Sequence, residues 1–88
     1  MPTISMFLGI IIMMFYDDTG KHNRPHFHAK YGDEEAQFAL DGTLLSGEMP
    51  FRQKKFIEAW ALLHEEELAA NWELAVNNTA LFRIEGLK

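Results

Sequence analysis

Three of the four histidines fall in one short stretch, His22-Asn23-Arg24-Pro25-His26-Phe27-His28-Ala29-Lys30-Tyr31-Gly32. His26 and His28 stand at i and i+2. On a strand they share a face, with Cα atoms roughly 6.5 Å apart. An imidazole titrates near neutrality and can take or give a proton there. Two such groups with a nearby cation are the minimum kit for metal-independent cleavage of RNA. One group takes the 2′-hydroxyl proton, the other protonates the leaving oxygen, and the cation steadies the phosphate. In that reading His26 and His28 are acid and base and Lys30 stands beside them. Arg24, Lys21 and Arg52 are phosphate or partner contacts, and His22 is a stand-in.

Two other readings use the same residues. His-x-His on a strand is a two-ligand unit for zinc or another divalent ion. Asp17, Asp18 or His22 would supply the third ligand. Lys30 and Arg24 oppose that electrostatically. In the third reading the histidines hydrogen-bond neighbours and set a loop, no cofactor is needed, and the protein works by binding a partner. No nucleophilic triad is arguable, because there is no Cys and neither Ser lies near a His in sequence.

The elements that must hold this stretch follow from periodicity. Phe7 to Tyr16 is dominated by β-branched and aromatic residues and predicts one strand, apolar on both faces. Asp17 to Arg24 is a polar loop. Pro25 to Tyr31 is a second strand, Gly32-Asp33 a turn, and Glu34 to Leu40 a third strand. A two-residue turn pairs Phe27 with Phe38 and Ala29 with Ala36 on an apolar face. It pairs Lys30 with Glu35, His28 with Gln37 and His26 with Ala39 on the other, polar face.

Thr43 to Met49 is a loop with room for a short strand, and Pro50 suits a helix start. Phe51 to Asn77 lacks Gly and Pro and repeats its apolar residues at helical spacing. Its 27 residues would span roughly 40 Å, long for so small a domain. One bent helix, or two that part near His64, is expected. Ala80 to Glu85 reads as a last short strand. The expected class is α+β. A small antiparallel sheet of three to four strands packs on one long or bent C-terminal helix, in the order β-β-β-α-β.

Eighty-eight residues make a single domain with a small core. The apolar content of 48% argues against disorder. The absence of Cys excludes disulfides and fits a reducing cytoplasm. The apolar run Met6 to Tyr16 has 11 residues, against roughly 20 for a membrane span. The net charge of −5 disfavours broad nucleic-acid binding, although Thr19 to Gly32 is locally basic. With one helix available for one sheet face, Ile10, Ile12 and Met14 are expected on an uncovered face that drives association, a homodimer included.

Several segments together resemble a known family. They are Met1-Pro2-Thr3-Ile4-Ser5, Gly9-Ile10-Ile11-Ile12, Tyr16-Asp17-Asp18 and the histidine stretch, then Gly47-Glu48-Met49-Pro50. Glu58-Ala59-Trp60, Leu63-His64, Glu67-Leu68 and Asn71-Trp72 complete the set. The chain is similar to the small prokaryotic family called domain of unknown function 4160. Two departures make its loop longer and more flexible than the family pattern: Thr19-Gly20-Lys21 intervenes before His22, and Arg24 stands where the family has a first proline. Members often lie beside another small family, domain of unknown function 2442, in a setting like that of toxin–antitoxin modules. The resemblance implies a small cognate protein encoded nearby and a toxin-like role. It identifies no reaction.

Overall fold

The computed structural model describes residues 2–16 and 24–87. Strands β1 (Thr3–Phe7), β2 (Ile10–Met13), β3 (His26–Tyr31), β4 (Glu34–Ala39) and β5 (Leu44–Gly47) precede helices α1 (Phe51–Leu63) and α2 (Glu65–Val76). The strands form one antiparallel sheet in chain order, β1-β2-β3-β4-β5. The class is α+β, as the pattern requires, with five strands rather than three to four.

The added strand comes from the apolar run at the start. Leu8 and Gly9 both adopt positive φ, 51° and 79°. Two successive residues in that region make the tight hairpin turn whose twist suits paired strands. Phe7 to Tyr16 is therefore not one strand. Phe7 pairs with Ile10 and Met6 with Ile11 across the turn. The segment 44–47 forms the short strand for which the loop had room, while 80–85 is not a strand. The Ile84 N–H donates to the Ile4 carbonyl at 2.7 Å and ties that segment to the edge of β1.

The β3–β4 register is the one the turn dictates: His26 opposite Ala39, Phe27 opposite Phe38, His28 opposite Gln37, Lys30 opposite Glu35. The helical segment parts at His64, whose N–H is shared between the Trp60 and Ala61 carbonyls. The break lets both halves lie on one small sheet. Ile57, Trp60 and Ala61 from α1 and Leu68 and Trp72 from α2 join Phe27, Phe38 and Ala29 in the core. Ile10, Ile12 and Met14 are fully buried in that same cluster. The face expected to drive association is thus closed by the chain's own helices and tail, because the hairpin turns it inward.

The tail is held by polar bonds. Asn71 is fully buried. Its Nδ2 donates to the Phe82 carbonyl at 2.9 Å, and its Oδ1 accepts from the Phe82 N–H at 3.0 Å. Trp60 Nε1 donates to the Glu85 carbonyl at 2.9 Å. Truncating Asn71 takes both side-chain partners from the Phe82 backbone. Asn71→Ala is expected to lower stability by about 1–3 kcal/mol and to strip hydrogen-exchange protection from the Phe82 amide. Unchanged urea unfolding with that amide still protected would contradict the clamp.

Candidate functional site

Alternation along β3 puts Phe27 and Ala29 on the helix-covered face and His26, His28 and Lys30 on the other. Three strands continue that second face in register. Met13, His28, Gln37 and Ser46 form one row across β2 to β5, and Ile11, Lys30 and Glu35 form the next. The expected polar strip exists, but it is not an open one. His26 and His28 are each only 9% exposed, while Lys30 is exposed.

Aromatic rings account for that burial. Phe15 stacks on His28, with centroids 4.4 Å apart and planes at 16°. His28 meets His26 edge-on at 5.1 Å. His26 packs against Trp72 at 5.2 Å, and Trp72 against Tyr16 at 5.7 Å. The five rings form an arc that starts and ends on neighbouring residues of the chain just after β2. Such offset and edge-to-face pairs favour one another through their ring quadrupoles.

The two histidines differ in their polar contacts. His26 Nδ1 donates to the Arg24 carbonyl at 2.8 Å, which fixes its tautomer and ties the start of β3. His28 Nε2 is buried and has no hydrogen-bond partner among the described residues. Burial pushes the His28 pKa below the ordinary imidazole value, and neighbouring His26 adds to this while Glu35 offsets part of it. The His28 imidazole therefore favours its uncharged form more than a free imidazole does.

The remaining expected residues are dispersed. Arg24 contributes its backbone carbonyl, and its exposed side chain lies at the strip's end. Arg52 is exposed on the first turn of α1, its guanidinium 5.7 Å from the centre of the Phe56 ring, and does not join the strip. Lys21, His22, Asp17 and Asp18 lie outside the described residues. Among the described residues no three His, Asp or Glu side chains converge to hold a metal ion. Phe15, Trp72 and Tyr16 were not legible as site residues, because ring packing across elements leaves no periodic mark. Gln37 lies opposite His28, as the turn requires.

The depressed His28 pKa has a definite sign. An unfolded chain takes up this proton as pH falls below about 6.5, before the folded protein does. The stabilising contribution is complete above that value and is lost as pH falls towards the folded pKa. Wild-type urea midpoints are therefore expected to decline from pH 7.5 to 5 more steeply than those of His28→Gln. Equal slopes would remove His28 as the cause.

The family model that matches the chain is described as Domain of unknown function (DUF4160), and the match runs over residues 9–73. No curated protein and no solved structure gives a significant match. The matched span begins at the Gly9 turn and reaches just past Trp72, so it holds the whole aromatic arc. The chain belongs to the DUF4160 family.

Proposed function

We propose that this protein acts in the cytoplasm by binding, as the toxin-like component of a toxin–antitoxin-type pair with a small cognate protein encoded beside it. The observation that carries this reading is the enclosure of both histidines. Their rings touch edge to face at 5.1 Å, and Phe15 and Trp72 close the outer sides. An acid and a base for phosphodiester cleavage must flank the phosphate, each within hydrogen-bond reach. Two rings in mutual contact leave no room for it. His26 and His28 instead act as packing groups that hold the surface around Lys30. Among the described residues no helix is long and apolar enough to cross a membrane.

A second reading has one observation in its favour. Among the described residues the buried His28 Nε2 has no hydrogen-bond partner, and burial lowers the pKa of that ring. Metal-independent ribonuclease activity would then rest on His28 with Lys30 as the phosphate cation, after Phe15 moves aside.

Co-expression separates the two. The neighbouring gene product is expected to co-purify with the wild type and equally with a folded His28→Gln variant. The binding reading fails if no neighbour co-purifies. Growth arrest with RNA fragmentation, reduced about 100-fold or more by His28→Gln, would establish the ribonuclease instead.

A further inference from the structure

A recess of about 180 Å³ opens on the sheet face opposite Trp60, lined by His28, Glu35, Ala36, Gln37, Ser46 and Gly47. Its floor is backbone of Ala36 and Gly47, since the Ala36 side chain belongs to the core on the other face. Ala36 pairs with Gly47. Gly47 sits at φ 85°, where an added Cβ would collide with the Glu35 carbonyl oxygen and lie 2.8 Å from Ala36 Cα. Only glycine lets β5 approach β4 so closely. The low floor is ringed by taller polar side chains from three strands.

Those side chains are rich in acceptors. Glu35 is exposed, and Lys30 opposite it closes no ion pair with it among the described residues. Gln37 offers a carboxamide oxygen and Ser46 a hydroxyl. The ring of His28, nine-tenths buried with an unpartnered Nε2, forms another wall. A guest that suits this set is planar, cationic and rich in N–H donors. The guanidinium has five N–H donors in a fixed fork that meets a carboxylate with two parallel bonds. An ammonium is a point charge and lacks that fork. A guanine base presents a similar edge, but its nucleotide brings phosphate to a chain of net charge −5.

We propose that this recess is a socket for an arginine side chain of the protein partner, its guanidinium fork on the Glu35 carboxylate and its remaining N–H groups shared with Gln37 and Ser46. The partner belongs to the binding reading above, on which this part of the inference rests. The size fits one side-chain head, being well below the roughly 300 Å³ at which drug-sized sites begin.

Amide chemical shifts of the labelled full chain test it, with Nα-acetyl-arginine amide as the probe. Saturable shifts are expected at Glu35, Gln37, Ser46 and Gly47. Nα-acetyl-lysine amide on wild type, and the arginine probe on Glu35→Gln, should each bind about tenfold more weakly or worse. Equal response to the two probes, no saturation at these amides, or tighter binding of guanosine monophosphate would each overturn the socket. The two readings fail separately. A co-purifying partner that binds Glu35→Gln as tightly as wild type removes the socket and leaves the pair. Selective arginine binding with no co-purifying partner keeps the guanidinium site and removes the pair.

Discussion

Trp60 is the side chain on which the rest of the structure depends. It is fully buried, and its ring packs on Phe7 at 5.3 Å, Phe27 at 5.6 Å and His64 at 5.7 Å. Its indole N–H donates to the tail at Glu85. One residue therefore joins β1, the central strand, the helix break and the C-terminal segment. A large rigid ring does this at low entropic cost, because only two torsions are fixed while much apolar area is removed from water. In an 88-residue chain, where the core is thin, few other positions reach so many elements. His64 gains from the same arrangement: its Nδ1 donates to Glu67 at 2.6 Å, so the break between the helices is held by a polar bond as well as by ring contact.

The other face is organised by a different economy. Helices cover the Phe27 side, and the opposite side is shielded by side chains of the sheet itself, with Trp72 reaching His26 from α2. Phe15 and Trp72 turn two residues that would read as polar into members of an aromatic stack. The cost is an imidazole nitrogen without a partner at His28. Unsatisfied buried polar atoms are uncommon in folded chains, and they gather where something is bound or transformed. Lys30 and Glu35 stay exposed one row further along. Charge is thus displayed next to an enclosed pair of rings.

Part of this was written locally in the chain and part was not. The β3–β4 register was legible because Gly32-Asp33 fixes the turn and the two-residue period fixes the faces. The parting of the helix near His64 was legible from length alone. The first hairpin was concealed because Leu8, an apolar residue, occupies a left-handed conformation that glycine or asparagine normally marks. The same turn accounts for Ile10, Ile12 and Met14 lying in the core rather than on an open face. The site positions on β3 divide similarly. Period two placed His26, His28 and Lys30 on one face correctly. Their burial depends on Phe15, 13 residues before the His28 it stacks on, and on Trp72, 46 residues after the His26 it packs against, and no local pattern encodes such contacts.

The order of the elements also governs how the chain is made. Every strand pairs with its sequence neighbour, so the sheet can assemble as successive hairpins while synthesis proceeds. The helices that cover it come afterwards. Between the emergence of Gly47 and that of Val76, a ribosome working at about 5–20 residues per second needs on the order of a few seconds. For that interval Ile10, Ile12, Phe27 and Phe38 form a finished apolar surface with nothing over it. The nascent sheet is the stage most open to misassociation, and its protection is a matter of timing rather than of final stability.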